Sequence, residues 1–176
     1  MSRGVAHAVE LALDEDAADV VRGLFGSLEE AGITSLRSGS PHLHPHVSVT
    51  VATDADPAQL AEVLSGVASI GLPAITMSSV GIFVAPQVVI YLGVTPTAEL
   101  ATLNERVHER LGASGLDTWA LYAPGTWVPH CTLAMRPASL GAAIEALQGA
   151  PLPIRAAPVA LRVVEVPTGK LRVTIE

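Results

Sequence analysis

Hydrophobic and polar residues change period several times along the chain, and each change marks an element. Ala6–Leu13 (AHAVELAL) alternates and predicts a strand. Asp14–Gly32 carries acidic residues in its first turn, spaces Val20, Val21, Leu24 and Leu28 along one face, and ends at a glycine. It predicts a helix. Thr34–Pro45, rich in Ser, Gly and Pro, predicts a loop. His46–Ala52 (HVSVTVA) has strict period two, and Asp56-Pro57 opens a helix expected to run to about Ile70. Ala74–Val84 and Gln87–Val94 predict two strands joined at Ala85-Pro86. Thr97–Leu111 predicts a helix with Leu100, Leu103, Val107 and Leu111 on one face. A loop over Gly112–Pro129 precedes a strand over Val128–Met135 and a helix over Ser139–Leu147. Ile154–Val166 and Lys170–Ile175 predict strands around a Pro167-Thr168-Gly169 turn.

Two halves emerge, roughly 1–86 and 87–176. Each begins with a strand and a long helix, then reaches a loop and a strand that opens Pro-His-x-Ser/Thr. Each continues with a short helix and a Leu-Pro pair, Leu72-Pro73 and Leu152-Pro153, before two more strands. The order βαβαββ, repeated, predicts one α+β domain over 1–176, built by duplication as two lobes about a pseudo-twofold axis.

The repeated motif carries the chemistry. Pro45-His46-Val47-Ser48-Val49 and Pro129-His130-Cys131-Thr132-Leu133 place their histidines 84 residues apart. On a strand, His46 and Ser48 share one face while Val47 and Val49 point into the core; His130 and Thr132 share a face in the same way. If the axis brings the strands side by side, two imidazoles and two hydroxyls converge on one cleft. That set is complete for phosphoester cleavage without a metal. One imidazole can act as base and the other as acid, and the hydroxyls can donate to phosphate oxygens.

Composition narrows the partners. Hydrophobic residues make up 49% and charged residues 15%, which excludes disorder. The net charge of −7 argues against a broad electrostatic grip on duplex nucleic acid. The acidity is uneven, with 3 basic and 10 acidic residues in 1–88 but 7 of each in 89–176. An anionic ligand should therefore be held by a few placed groups. Cys131 is the single cysteine, the N-terminal stretch from Met1 has no signal-peptide core, and no window is apolar enough for a membrane span. A cytoplasmic monomer that meets no membrane is expected.

PHVSV and PHCTL, with VVIYLGV before the middle helix and WVPHCTLA after it, resemble the two-histidine (2H) phosphoesterase superfamily. The nearest group is the 2′-5′ RNA ligase-like proteins and RNA 2′,3′-cyclic phosphodiesterases. The resemblance spans nearly the whole chain. It implies antiparallel sheets around a central cleft with helices outside, and hydrolysis of cyclic or 2′-5′ phosphodiesters with no metal or other cofactor. By position, His46 and His130 become the catalytic pair, and Ser48 and Thr132 the phosphate-binding hydroxyls. A nucleotide or RNA end becomes the substrate. The 3′-oxygen would leave and a 2′-phosphate remain. The pseudo-symmetric motif does not tell base from acid; His130 is expected as base and His46 as acid. Two departures stand out: Ser48 replaces the commoner Thr, and the basic residue often found five positions after the second histidine is Met135 here. Arg136, one residue later, would face away on a regular strand.

Other side chains have weaker claims. His42, His44 and His46 form H-L-H-P-H, which on an extended strand would offer three imidazoles to a metal, although Pro45 interrupts it. A metalloprotein on that cluster is one rival reading, with His44 alternatively a substrate contact. A non-catalytic module that binds nucleotides or RNA ends is the other. Trp119, Tyr122 and Trp127 crowd before the second motif, where Tyr122 and Trp127 could stack a base or instead cover the lobe junction. Arg37 could meet a phosphate, as could one of Arg155, Arg162, Lys170 and Arg172, but His7 and His108 are expected to have no role.

Overall fold

A computed structural model describes residues 5–175; Met1–Gly4, where the N-terminal reading begins, lie outside it. Five helices start where a short polar side chain takes up a free backbone amide. Asp14 caps α1 (Glu15–Glu30), Ser35 caps α2 (Leu36–Gly39), and Asp56 caps α3 (Pro57–Leu64). Thr97 and Ser139 cap α4 (Ala98–Ala113) and α5 (Leu140–Ala146). The strands are β1 (His7–Ala12), β2 (His46–Ala52), β3 (Ile75–Phe83), β4 (Val89–Val94), β5 (His130–Met135), β6 (Ile154–Ala156), β7 (Ala160–Glu165) and β8 (Leu171–Ile175).

They form two antiparallel sheets, ordered β2-β1-β7-β8 and β5-β4-β3-β6. The α+β class and antiparallel sheets are those expected, but the lobes are not the sequence halves. Strand β3 belongs to the first half of the sequence yet pairs in a hairpin with β4, while β7 and β8 cross back to pair beside β1. The predicted strand Ile154–Val166 is accordingly two strands in different sheets. Pro158 has no amide to donate, Ala157 gives its amide to Asp14, and Val159 gives its amide to the Ala12 carbonyl, so the chain changes sheets there. The predicted loop Thr34–Pro45 contains the single turn of α2. Helix α3 stops at Leu64, two residues before Gly66 at φ 75°, and a 3₁₀ turn follows at Ala68–Ile70.

Helices are exchanged too. Helix α1 packs against β5, β6 and α5, whereas α4 packs on β2, and α3 lies against β7, β8 and α4. One core therefore runs behind both sheets. Val9, Leu11, Val47 and Val49 come from one sheet, Ile90, Leu92, Cys131 and Leu133 from the other, with Phe25 and Leu28 of α1 between helices and strands.

Strands β2 and β5 lie side by side at the edges of their sheets without a hydrogen-bond ladder. Carbonyls of β2 are satisfied from elsewhere. The Trp127 indole N–H donates to Ser48 O (3.1 Å), the Asn104 amide to Val49 O (3.0 Å), and the Trp119 backbone N–H to Val51 O (2.9 Å). Asn104 also donates to Tyr122 O at 3.0 Å, so one buried side chain ties α4, β2 and the following loop together. Replacing Asn104 with Ala should leave both carbonyls short of a partner and cost about 1–3 kcal/mol in urea unfolding. Asn104→Asp should cost more, because it sets an acceptor against two acceptors.

Candidate active site on the open face

Alternation along β2 and β5 puts His46, Ser48, His130 and Thr132 half-exposed on one side, while Val47, Val49, Cys131 and Leu133 are fully buried behind them. The residue opposite each histidine on the next strand is small: Ala12 faces His46 and Gly93 faces His130. Opposite the hydroxyls stand larger groups, Glu10 across from Ser48 and Tyr91 across from Thr132. One strand further out, Arg162 faces Glu10 and Gly81 faces Tyr91.

Both imidazoles are held in the same way. His46 Nδ1 lies 2.7 Å from the His44 carbonyl, and His130 Nδ1 lies 2.7 Å from the Val128 carbonyl. A carbonyl only accepts, so each Nδ1 carries the hydrogen, and each neutral ring keeps its lone pair on Nε2. The ring is thereby oriented, and Nε2 is the atom left for proton transfer. The surroundings then diverge. His46 Nε2 is 3.5 Å from Glu10 Oε2. His130 instead meets the edge of Phe83 at 5.0 Å and the ring of Tyr91 at 5.1 Å between centroids. Burial pushes the His130 imidazole below its ordinary value, and the charge of His46 adds to that. Glu10 is pushed above the usual carboxylate range by burial, with His46, Arg162 and His44 pulling it back.

Tyr91 lies over Gly81, where an added Cβ would stand 2.4 Å from the ring; the glycine is what lets the aromatic lie flat on the sheet. Phe83 stacks on Tyr91 at 4.2 Å, which makes a two-ring platform beside His130. Of the aromatics singled out from sequence, Tyr122 packs on Ala8, Val51 and Val164 with its phenol toward Ser48. Trp127 is partly buried in the seam and bonded to Ser48 O. Trp119 is 40% exposed and tilted against Tyr122.

His44 is exposed at the mouth and His42 is exposed on the turn before it, with Leu43 tucked toward the core between them. Among the described residues no three His, Cys, Asp or Glu side chains gather as a metal would require, and the three imidazoles of H-L-H-P-H are not brought together. Arg37 is occupied by Glu29, and Arg172 by Glu165. Met135 sits opposite Val89, and the backbone turns left-handed at Arg136 (φ 50°), which ends the strand there. Sequence reading missed Glu10, Phe83 and Tyr91, and left Arg162 undistinguished from Arg155, Lys170 and Arg172. A lone carboxylate inside the alternating AHAVELAL run was the available signal for Glu10.

The histidines stand on an open face. A small half-open pocket of about 100 Å³ lies nearby, lined by Leu100, Asn104, Trp127 and Pro129, but does not contain them. Among the described residues no helix is long and apolar enough to cross a membrane.

Paired His-x-Ser/Thr strands on one face define a two-histidine phosphoesterase arrangement. A family profile described as the 2′-5′ RNA ligase superfamily matches residues 22–169, and the chain belongs to that superfamily. The fold is similar to the crystal structure of E. coli LigT in apo form, at 14% identity and TM-score 0.62, covering 99% of this chain and 96% of that one. It is similar also to a crystal structure of a phosphoesterase, at 13% identity and TM-score 0.62, covering 98% and 96% of the two chains. LigT complexed with NADP+ matches at 14% identity and TM-score 0.60, covering 99% and 96%. No curated protein matches the sequence.

Cys131 stands directly behind the site, fully buried, with its thiol pushed up to about 12 by desolvation. A thiol with so little thiolate is inert. The native protein should therefore leave Ellman's reagent unreacted at pH 8 and release one equivalent only on unfolding. Cys131→Ala should lower stability while leaving His46 and His130 in place.

Proposed function

We propose that the protein is a metal-independent phosphodiesterase acting on 2′,3′-cyclic phosphates, or on 2′-5′ linkages, of nucleotides or RNA ends. The observation that carries this reading is the matched pair of Nδ1–carbonyl bonds, which present two Nε2 atoms to one face beside two hydroxyls. One ring, neutral, takes a proton from water as the water oxygen bonds to phosphorus. The other, protonated, gives its proton to the departing ribose 3′-oxygen as the P–O3′ bond breaks, which leaves a 2′-phosphate. Ser48 and Thr132 donate to the non-bridging oxygens, where charge must be held.

The Phe83–Tyr91 platform offers a base a surface on which to stack, with Tyr122 on the opposite sheet. LigT, of the same fold, has been crystallised with 3′-AMP and with NADP+, which agrees with a nucleotide on this face. An open face also suits the end of a polymer. We take the partner to be a single nucleotide or RNA end met by a cytoplasmic monomer, and the net charge of −7 disfavours a duplex.

The test is turnover of 2′,3′-cyclic AMP and a 2′-5′ linked dinucleotide in excess EDTA, with products followed by ³¹P NMR. Activity should survive the chelator. His46→Ala and His130→Ala should each lower kcat by at least about 10²-fold. Thr132→Val should lower kcat/KM by roughly 10–10³-fold, and Ser48→Thr should be nearly silent. Tight binding of these compounds without turnover would make the protein a binding module, and loss of activity in EDTA would make the metal-free mechanism wrong.

A further inference from the structure

The pseudo-twofold that matches the two histidines fails one strand away. Glu10 and Tyr91 occupy equivalent places, opposite Ser48 and Thr132. Arg162 and Gly81 are equivalent in turn, opposite Glu10 and Tyr91. So His46 has a carboxylate beside its free nitrogen and a guanidinium beyond. His130 has two aromatic rings, with a glycine beneath one of them.

Glu10 Oε2 and His46 Nε2 are 3.5 Å apart, and the side chains are only 10% and 15% exposed. That is too long for a strong hydrogen bond, so Nε2 stays available to a substrate oxygen. It is short for two charges in a place with little water, where their attraction is poorly screened. Arg162 stands behind Glu10. Its Nε is buried without a hydrogen-bond partner, and among the described residues the guanidinium pairs with no carboxylate within 4.0 Å. Burial pushes the Glu10 carboxyl above its ordinary range, and Arg162 counters part of that rise without closing a direct bridge on it. The groups whose charge Glu10 feels are His46 from β2, Arg162 from β7, and His44 from the loop before β2.

We propose that Glu10 is a positioning residue that assigns the two roles, holding His46 as the imidazolium that acts as general acid and leaving His130 as the neutral general base. The proposal rests on the phosphodiesterase reading above. Two imidazolium ions on one face repel each other, so the productive state carries one proton between them, and the local field decides where it sits. Beside Glu10 the charged ring is compensated. Between Phe83 and Tyr91 the charged ring loses water and gains no opposite charge. In the reaction His130 Nε2 takes the proton from water, His46 Nε2 delivers one to O3′, and exchange with solvent restores both rings.

The experiment is the pH dependence of kcat/KM for 2′,3′-cyclic AMP between about pH 5 and 9 in wild type, Glu10→Gln and Arg162→Met. Glu10→Gln keeps the shape and removes the charge. An acid beside a carboxylate keeps its proton to higher pH, so removing the carboxylate should move the alkaline limb to lower pH. A shift of about one unit is expected, which lowers kcat/KM about tenfold on that limb and leaves the acidic limb in place. Arg162→Met should move the same limb the same way by a smaller step, and Glu10→Asp should recover part of the wild-type profile. A shift of the acidic limb instead would reverse the roles, and profiles that superimpose would reduce Glu10 to packing. If wild type cleaves nothing, the phosphodiesterase reading fails by itself. Glu10 is then still tested by following both imidazoles with ¹H–¹⁵N NMR. In Glu10→Gln the titrations of the two rings should lie closer together than in wild type; titrations that superimpose between the two proteins would overturn the proposal.

Discussion

Strand β2 pairs with β1 on one side only, and the carbonyls of Ser48, Val49 and Val51 are bonded by something other than a strand; the site depends on that arrangement. Had β5 completed the ladder, the eight strands would form one continuous sheet with the two motifs locked in its middle. Instead the Trp127 indole, the Asn104 amide and the Trp119 backbone N–H take the carbonyls of Ser48, Val49 and Val51. Strand β5 then approaches through side chains and the shared core. An unpaired edge invites association, and here it is covered from within the chain. The same bonds fix the height of β2, and therefore of His46 and Ser48, against β5. Trp127 thus contributes to the seam first, whatever else it touches.

The exchange of strands and helices explains why the two halves do not act as independent lobes. The first half sends β3 into the other half's sheet, the second half sends β7 and β8 back, and α1 and α4 cross as well. Removing the first half would take β3 out from between β4 and β6, and removing the second would strip β7 and β8 from beside β1; either would uncover the back of the remaining sheet. A core continuous behind both sheets holds the two histidines in register without any direct bond between them.

What the sequence made legible was local. Period two along HVSVTVA and HCTLAM told which side chains share a face, and that reading places His46 with Ser48 and His130 with Thr132 on the open side, with the valines, Cys131 and Leu133 behind. Turn chemistry and caps likewise located most helix starts. Pairing between distant segments was not legible. Ile154–Val166 reads as one apolar run, and only the sheet change at Ala157–Val159 shows it to be two strands. For the same reason Arg162 could not be told apart from Arg155, Lys170 and Arg172. Its place near the site comes from sitting opposite Glu10, which sits opposite Ser48, and such a relation spans the whole chain. Tyr91 and Phe83 were hidden in a strand hairpin, while attention fell on the aromatics of the 112–129 loop.

Duplication poses a chemical problem that the motifs themselves do not solve. Two copies of Pro-His-x-Ser/Thr, each ring bonded to a carbonyl two residues upstream, make two catalysts of the same kind. Cleaving a phosphodiester by acid and base needs two of different kinds at the same moment. Neither the histidines nor the hydroxyls can supply the difference, because Ser48 and Thr132 offer the same donor. It has to come from groups outside the repeat, close enough to act on Nε2 and far enough to leave it free. The neighbouring strands are the first place where that is possible, since a residue opposite Ser48 or Thr132 shares the face and stands about 5 Å from its partner. In this chain those places hold a carboxylate, whose charge compensates a neighbouring imidazolium, and a phenol ring, which brings no opposite charge. The symmetry is kept where geometry must match and broken where charge must differ.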